Sequence, residues 1–388
     1  MSLATHLECS RCGREELITR LAGVCPACGE PLLVQYDLVA GRHVASRFDV
    51  TTRPRSLWRF AELLPNIALK DHVTLGEGGT PLLRATHLED AVGHAPIFVK
   101  DEGLNPTFSF KARGMAMAVT CALARGATRL AAPTAGNAGG ALAAYAARAG
   151  LPALVVMPDD TPPAFAEDAR RHGAEVELVR GLISDAGRRV AERAAAEGWF
   201  DVSTFREPYR VEGKKTIGFE IVEDLGFHYP DWIVFPTGGG MGLVGIWKAF
   251  AELEALGWVR GRRPRMACVQ AAGCAPIVDA FERGASAVEA PASPTTRAYG
   301  LRVPKPLAGR LILGLLRESD GAALRVSEDA IERGADELAR REGIDAAPEG
   351  GAAWAGARDL IAQGKIGRDA TIVVVNTGAG VKYRGAGA

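Results

Sequence analysis

Short apolar segments alternate with longer segments of helical period along most of this chain, and no other feature constrains its fold as strongly. Seven segments have the length and apolar content of buried strands, namely 97–100, 129–132, 153–157, 175–179, 232–235, 265–270 and 371–375. Helical periods occupy the intervals, for example 138–149, 183–196 and 328–341. A helix between successive strands carries the chain across the sheet, so the strands run parallel. We therefore predict an α/β protein with doubly wound parallel sheets.

The composition predicts a globular protein and argues against two classes of partner. Its 388 residues suit about two domains and an appendage. Basic and acidic residues number 46 each and form no blocks, so we expect no nucleic-acid partner and no membrane surface. The most apolar region, 130–158, contains prolines, glycines and Arg148, which is typical of buried α/β elements and not of a membrane span. The N-terminus has no signal-peptide pattern, so the expected location is the cytoplasm.

Lys111 lies between the first predicted strand and a helix predicted over 115–125, and it is flanked by Phe108 and Phe110. An apolar environment lowers the pKa of a lysine and leaves a nucleophilic amine, which a carbonyl cofactor needs to form a Schiff base. The alternative is a lysine whose stem packs on the two phenylalanines while its charged head reaches water. The local sequence is compatible with both interpretations.

Three glycine-rich loops follow predicted strands. They occupy residues 133–140, 236–242 and 376–380. Ligands of parallel α/β sheets bind at the carboxyl ends of strands, where such loops lead into helix N-termini. Together with Lys111, these loops predict one crowded edge that is rich in groups able to bind a ligand.

The second of these loops also matches a dinucleotide-binding fingerprint, with glycines at 240, 242 and 245 between a strand and a helix. That fingerprint expects an acidic residue at the end of the next strand to bind the ribose, but this strand ends in Gln270. The difference counts against NAD. Backbone N–H groups at a helix start would suit a single phosphate monoester. A glycine turn that permits close helix–strand packing is the remaining interpretation.

Four of the seven cysteines form two Cys-x-x-Cys pairs near the N-terminus, namely Cys9, Cys12, Cys25 and Cys28. In a cytosolic protein two such pairs favour a tetrahedral zinc site over disulfides. Gly13 and Gly29 follow the pairs, where tight turns are needed. We predict a structural Zn²⁺ ion with four thiolate ligands and no chemistry of its own. A redox pair or a ribbon without metal is the alternative. The scattered cysteines 121, 268 and 274 are expected in the core.

Seven motifs occur in a fixed order between about residue 75 and residue 382. They are Gly-Glu-Gly-Gly-Thr-Pro-Leu (76–82), Val-Lys-Asp-Glu-Gly-Leu-Asn-Pro-Thr (99–107), Ser-Phe-Lys-Ala-Arg-Gly (109–114), Thr-Ala-Gly-Asn-Ala (134–138), Pro-Tyr-Arg-Val-Glu-Gly-Lys-Lys-Thr (208–216), Thr-Gly-Gly-Gly (237–240) and Thr-Gly-Ala-Gly (377–380). In this order they resemble the threonine synthase family and the wider tryptophan-synthase-β-like group of pyridoxal-phosphate enzymes. The four-cysteine ribbon resembles the one at the start of some threonine synthases.

The resemblance implies a domain arrangement and a cofactor site. It implies a zinc ribbon (1–36), a large cofactor domain (37–111 and 212–388) and a small mobile substrate domain (112–211), the last two each with a doubly wound parallel sheet. Pyridoxal 5′-phosphate would form a Schiff base with Lys111, which would also act as acid and base. The residues that would contact the cofactor are Lys111, Phe110, Asn137, Thr237, Gly238, Gly239, Gly240, Met241 and Thr377.

Several of these residues have specific implied roles. Asn137 would hydrogen-bond the phenolic oxygen of the cofactor, and residues 237–241 would hold its phosphate through backbone amides. Thr377 would face the pyridine nitrogen. A hydroxyl there cannot keep the nitrogen protonated as a carboxylate would, so the ring is a weaker electron sink. Elimination and replacement are then favoured over transamination.

The resemblance also implies a substrate and a reaction. Residues at a helix N-terminus would bind the substrate carboxylate, namely Thr134, Ala135, Gly136 and Ala138. Arg210 and Lys215 would bind an anionic distal group, or would be solvated charges at a helix start. The implied activity is that of a carbon–oxygen lyase acting on phosphates. O-phospho-L-homoserine and water give L-threonine and phosphate, with phosphate leaving Cγ and water adding at Cβ.

Three positions depart from the family pattern, and each bears on the substrate. Ala112 replaces an aspartate, Ala135 removes a hydroxyl, and Glu207 replaces an asparagine. The Glu207 carboxylate would repel a bound phosphate unless an arginine neutralises it. The alternatives are a β-eliminating lyase or ammonia lyase acting on threonine or serine, a β-replacement enzyme, a nicotinamide oxidoreductase and a non-catalytic module. Members of the group are usually dimers, which implies a homodimer.

Overall fold

The computed structural model describes residues 2–94 and 96–384, which form two parallel sheets and a small antiparallel ribbon. The strands are β1 Ala4–Cys9, β2 Glu15–Glu16, β3 Leu32–Tyr36, β4 Leu82–Arg84, β5 Ile97–Asp101, β6 Leu130–Pro133, β7 Ala153–Pro158, β8 Glu175–Val179, β9 Phe200–Asp201, β10 Trp232–Pro236, β11 Arg265–Ala271, β12 Ala322–Val326 and β13 Ile372–Asn376. The α-helices are α1 Leu38–Val44, α2 Arg47–Thr52, α3 Thr86–Val92, α4 Lys111–Ala124, α5 Asn137–Ala149, α6 Pro163–Arg171, α7 Ile183–Glu197, α8 Arg210–Asp224, α9 Met241–Ala255, α10 Pro276–Glu282, α11 Gly309–Glu318, α12 Glu328–Glu342 and α13 Pro348–Ala362.

The two larger sheets confirm the predicted α/β class. One has the strand order β12-β11-β10-β13-β5-β4, with parallel pairing except for the edge strand β4, which is antiparallel to β5. The other has the order β8-β7-β6-β9 and is parallel throughout. Strands β10 and β13 are buried at every residue. That burial explains their unbroken apolar sequences, because helices cover both faces of such sheets.

The order of the strands along the chain interrupts the six-stranded sheet. After β5, the chain builds the whole four-stranded sheet and then returns through α8 to β10. Helix α8 packs along both α9 and α4, so it joins the elements that belong to the two sheets. The domain boundaries at 111/112 and 211/212 stay a prediction.

A cluster of fully buried charges fixes the start of α4 against β5 and α8. The Arg113 guanidinium donates to the carboxylate of Glu102 at 2.6 and 2.8 Å and to that of Glu220 at 2.7 Å. Lys100 donates to the same Glu220 carboxylate at 2.9 Å. Buried charges need such partners, because an unpaired ion in a protein interior is strongly destabilising. The cluster therefore holds the backbone two residues beyond Lys111 in one position.

The N-terminal ribbon packs against the elements that carry the site. Strand β1 pairs antiparallel with β2 and β3, and Leu7 and Val34 are fully buried in the same core cluster as α8 and α9 residues. The Tyr36 hydroxyl donates to Glu212 at 2.6 Å, and that of Tyr209 donates to the backbone oxygen of Arg20 at 3.1 Å.

Several details differ from the sequence prediction. Helix α4 begins at Lys111, four residues before the predicted start at 115. Gly114 in its first turn is required by close packing, since a Cβ there would lie 2.9 Å from Cε of Lys214. Strand β12, Ala322–Val326, and the edge strand β4 were not predicted. The described part of the chain has no helix with both the length and the apolar content of a membrane span.

Candidate active site

A cavity of about 720 Å³ opens between loops that belong to the two larger sheets. Residues of the three glycine-rich loops and of the turn that carries Lys111 all line this cavity. The loops and Lys111 therefore lie on one face, as predicted. The sequence-predicted site residues found in its wall are Phe110, Lys111, Thr134, Ala135, Gly136, Asn137, Ala138, Gly238, Gly239, Gly240, Met241 and Thr377. Thr237, Arg210 and Lys215 are absent from this wall.

Lys111 is the first residue of α4 and is partly exposed to the cavity. Its Nζ lies 4.0 Å from the centroid of the Phe110 ring, which is buried, whereas Phe108 is 54% exposed. Desolvation and then the positive charge of Arg210 lower the pKa of Lys111 to about 7, against an opposing effect of Glu349. Near neutral pH a large share of this side chain is therefore a neutral, nucleophilic amine.

A cup of backbone without side chains faces Lys111 at the start of α9. A Cβ at Gly238 would lie 2.2 Å from the Gly300 oxygen, and one at Gly240 would lie 2.1 Å from Cδ1 of Ile312. Gly240 also has φ +73°, a conformation that glycine adopts without strain. The N–H groups at a helix start have no partner within the helix and carry its positive dipole end. This cup therefore suits a phosphate group.

Thr237 is not part of this cup, contrary to the prediction that its backbone amide helps to hold a phosphate. Its N–H already donates to the Val269 oxygen at 2.7 Å, and its hydroxyl donates to the Phe235 oxygen at 3.0 Å. The residue is fully buried and closes the end of β10 against β11.

The residues around the cavity fit pyridoxal 5′-phosphate. The glycine cup accepts a phosphate, and the amine of Lys111 accepts an aldehyde. Asn137, the first residue of α5, has a buried Oδ1 atom without a hydrogen-bond partner in the described residues. An unpaired buried amide oxygen is costly, so it indicates a polar ligand group at that point. Thr377 follows β13 and accepts a hydrogen bond from the N–H of Phe110 through its backbone oxygen at 3.0 Å.

The loop before α5 is folded by its own threonine. The Thr134 hydroxyl donates to the Gly136 oxygen at 3.0 Å and accepts from the Gly136 N–H at 3.1 Å. Gly136 is the N-cap residue of α5, so the loop presents a helix N-terminus to the cavity. Such a position favours a carboxylate.

The two predicted distal-group residues lie elsewhere. Nζ of Lys215 is fully buried between the carboxylates of Glu212 and Glu252, at 2.5 and 2.9 Å. Lys215 therefore neither contacts the substrate nor lies in solvent, because its ammonium group is paired with these two buried carboxylates. Arg210 is also buried and donates to the Val202 oxygen at 2.7 Å. Its charge nevertheless lowers the pKa of Lys111.

Other cations and hydroxyls line the cavity in place of Arg210 and Lys215. They are Ser184, Arg188, Ser203, Thr204, Arg206 and Lys214. Lys214 lies in the Glu-Gly-Lys-Lys motif, so the sequence indicated that one of two lysines lines the cavity. Which of the two does so depends on residues that are distant in the sequence.

Glu207 is not directed at this group of cations. Its carboxylate accepts from the backbone N–H groups of Tyr209 at 2.7 Å and Arg210 at 3.1 Å, so it caps the start of α8. Burial raises the pKa of Glu207 to about 7, with Arg210 opposing. The departure from asparagine is therefore compatible with an anion in the cavity, because the carboxylate is engaged by the helix.

Glu349 and Tyr383 complete the wall, and sequence reasoning did not select them. The Tyr383 hydroxyl donates to Glu349 at 2.9 Å and lies 3.5 Å from Nδ2 of Asn137. Glu349 also accepts from the Gly300 N–H at 2.7 Å. The Pro-Glu-Gly-Gly sequence at the start of α13 was a signal for Glu349, since a proline and an acidic residue are common in a first helical turn.

Gln270, at the end of β11, has a structural role that argues against a dinucleotide cofactor. Its Nε2 donates to the Thr237 oxygen at 3.1 Å, and its Oε1 accepts from the Ile277 and Val278 N–H groups at 2.9 and 3.2 Å. Gly245 of the fingerprint instead lets α8 pack closely, since a Cβ there would lie 3.0 Å from the backbone nitrogen of Lys215.

The four ribbon cysteines form a separate cluster. Their Sγ atoms all lie within 4.8 Å of one another, with separations of 3.4 Å between Cys9 and Cys28 and 3.7 Å between Cys12 and Cys25. Four thiolates around a tetrahedral zinc ion lie about 3.8 Å apart. Gly13 and Gly29 have φ +68° and +73°, as the predicted turns require. The geometry therefore fits a closed metal site, and Cys121, Cys268 and Cys274 are buried as predicted.

Comparison with known proteins identifies the family. Residues 73–378 match the family described as pyridoxal-phosphate dependent enzyme. A threonine synthase of Methanosarcina acetivorans is 38% identical over 374 residues, covering 96% of this chain and 91% of that protein. A threonine synthase of Methanocaldococcus jannaschii is 35% identical over 375 residues, covering 96% and 92%. The solved structure of a threonine deaminase from T.th. has a TM-score of 0.64 at 26% identity, covering 77% and 92%. This chain therefore belongs to the pyridoxal-phosphate dependent enzymes and, among them, to the threonine synthase family.

Proposed function

We propose that this protein converts O-phospho-L-homoserine and water into L-threonine and phosphate. The observation that carries the proposal is that one cavity is lined by the Lys111 amine, by the N-terminus of α5 and by further cations, among them Arg188 and Arg206. A substrate with a carboxylate at one end and a phosphate at the other needs two anion-binding regions. An ammonia lyase acting on threonine or serine needs only the first.

The cofactor would be held by residues that the cavity already brings together. The cup at 238–241 would bind its phosphate, Lys111 would bind its aldehyde, Asn137 would contact its phenolic oxygen, and Thr377 would face its ring nitrogen. When bound, pyridoxal 5′-phosphate supplies an electron sink conjugated to Cα of the substrate. Thr377 offers a hydroxyl and no carboxylate, which favours elimination and replacement over transamination.

The residues of the chain would orient the substrate and move its protons. The N-terminus of α5, with residues 134–138, would bind the carboxylate and so fix Cα beside Lys111. Nζ of Lys111, with a pKa of about 7, can accept and return a proton near neutral pH. Overall, phosphate leaves Cγ, a hydroxyl group from water joins Cβ, and protons are redistributed among Cα, Cβ and Cγ.

The four ribbon cysteines would hold a structural Zn²⁺ ion. All four coordination positions would be filled by thiolate, so the ion would contribute to folding and not to the chemistry of the cavity. Homodimer formation, the cytoplasmic location and mobility of residues 112–211 belong to the same proposal and rest on the family resemblance.

The test is a product assay on the purified holoenzyme. Supplied with O-phospho-L-homoserine, it should release equal amounts of inorganic phosphate and threonine, and Lys111→Ala should release neither. Lys365→Gln, which removes an exposed lysine outside the cavity, serves as the control. Keto acid and ammonia formed from threonine, without phosphate release from O-phospho-L-homoserine, would refute the proposal and favour the ammonia lyase.

A further inference from the structure

Lys214 differs from the other fully buried lysines in having no acceptor for its amine. Lys100 donates to Glu220 at 2.9 Å, and Lys215 is held by two carboxylates. Lys214 is 2% exposed, yet its Nζ has no hydrogen-bond or ion-pair partner among residues 2–94 and 96–384. The side chain lines the cavity, so an anion bound there would supply the charge partner that this largely desolvated amine lacks.

The path of this side chain is built into the helix packing. Lys214 leaves α8 and passes Gly114 of α4, where a Cβ would lie 2.9 Å from its Cε. A Cβ at the neighbouring Gly213 would lie 2.0 Å from the Arg113 oxygen, so α4 and α8 are in backbone contact here. The Lys214 side chain therefore runs along a close contact between the two helices.

The amine of Lys214 ends beside the catalytic lysine. Its Nζ lies 4.1 Å from the centroid of the Phe110 ring, and Nζ of Lys111 lies 4.0 Å from the same centroid. The Phe110 ring also contacts the first turn of α9, since a Cβ at Gly242 would lie 3.0 Å from its Cε2. Two amines and the positive end of a helix therefore surround one aromatic ring at the cavity wall.

Two cations and two carboxylates act on the Lys214 amine, and the two cations have the larger effects. Desolvation, followed by Lys111 and Arg210, holds its pKa well below the usual value, while Glu207 and Glu102 act weakly in the opposite direction. A dianion placed against these groups would restore the proton to Lys214 and gain a charge-assisted hydrogen bond.

We propose that Lys214 binds a phosphate monoester dianion in the cavity. Two sources offer this chemistry, namely the phosphate of the cofactor and that of the substrate. The substrate source rests on the proposed function, whereas the cofactor source rests only on membership of the family. Loss of one charge-assisted hydrogen bond corresponds to about a 10- to 100-fold weakening of binding.

Lys214→Met tests the proposal, because methionine has a similar length and carries no charge. The apoenzyme is titrated with pyridoxal 5′-phosphate and, separately, with pyridoxal, which lacks the phosphate. The holoenzyme is titrated with inorganic phosphate, and its KM for O-phospho-L-homoserine is measured. Lys365→Gln is the matched control, since it removes a lysine charge at an exposed position outside the cavity.

The results separate the two sources. Weaker binding of pyridoxal 5′-phosphate with unchanged binding of pyridoxal supports the cofactor source. A higher KM and weaker inorganic phosphate binding, with unchanged cofactor affinity, support the substrate source. The proposal is overturned if all four values stay within about twofold of the control, or if pyridoxal binding weakens equally. If the wild-type enzyme releases no phosphate, the proposed function fails, while the two cofactor titrations and inorganic phosphate binding still test Lys214.

Discussion

The pKa of Lys111 predicts how the apoenzyme should capture its cofactor as the pH changes. With a pKa of about 7 in place of 10.5, about half of the side chain is free amine at pH 7, against about 0.03% for an unperturbed lysine. Only the free amine attacks an aldehyde. Ionisation alone should therefore make Lys111 react at pH 7 about 1,000 times faster than an exposed lysine. Its rate should rise through pH 7 and level off about one pH unit higher.

Stopped-flow absorbance on the apoenzyme measures this rate between about pH 5.5 and pH 9. Dividing each rate constant by that of free butylamine at the same pH, after the butylamine rate has been corrected to its free-amine fraction, removes the ionisation of the cofactor itself. Borohydride reduction followed by peptide mass spectrometry identifies the lysine that reacted. A midpoint above about pH 9, or label on another lysine, would refute the argument, because either result means that burial does not activate Lys111.

Glu349→Gln tests the electrostatic part of the same argument. The Glu349 carboxylate acts to raise the pKa of Lys111, so its removal should move the midpoint of cofactor capture to lower pH. Glu332→Gln is the control, since the Glu332 side chain is 68% exposed and pairs with Arg297 at the surface. A shift of the Glu349→Gln midpoint to higher pH would contradict the assigned sign.

Three further predictions concern the support of the site. Glu220→Gln should lower the free energy of unfolding in urea by about 3–5 kcal/mol, because it leaves Arg113 buried with half of its partners; a loss below about 1 kcal/mol would contradict this. Cys12→Ser should lower both the zinc content, measured by mass spectrometry, and Tm, measured by calorimetry; an unchanged Tm would mean that no metal stabilises the ribbon. Asp160→Asn should raise KM by about two- to fivefold with kcat unchanged, because Asp160 pairs with the cavity residue Arg302 at 2.6 Å but is itself 52% exposed; an unchanged KM would assign the pair no role in the cavity.

Periodicity predicted the core strands well because both faces of the parallel sheets are buried. All seven predicted strands exist, and each end lies within one residue of its predicted position. Strands with weaker sequence signals were missed. In β12 the residues alternate between buried and more exposed, Arg325 points outward, and the strand lies at the edge of its sheet. Strand β9 has only two residues, and a pair of residues carries no period.

Local sequence located the loops of the site but could not separate Lys214 from Lys215. Both lysines follow the same glycine on α8. Their environments differ through Glu252, 37 residues beyond Lys215, and through Phe110, about 100 residues before Lys214. Only the tertiary structure brings these partners together. The predicted phosphate contact of Thr237 depends on tertiary structure in the same way. Its backbone N–H donates to Val269 of β11 and is not available to a ligand.

The ribbon is part of the support of the cavity, and a metal bound by its four cysteines would stabilise this support without taking part in the chemistry. Tyr209 and Glu212 of the α8 region each contact it, through the Arg20 oxygen and the Tyr36 hydroxyl. Lys214 leaves the same helix two residues after Glu212 and reaches the cavity wall. Loss of the metal should therefore affect the position of α8 as well as the ribbon. In Cys12→Ser we expect KM for O-phospho-L-homoserine to rise while Lys111 keeps its cofactor spectrum, because the start of α4 is also held by the Glu102–Arg113 pairing, which does not involve α8. Loss of the spectrum with an unchanged KM would show that the ribbon supports Lys111 instead of α8.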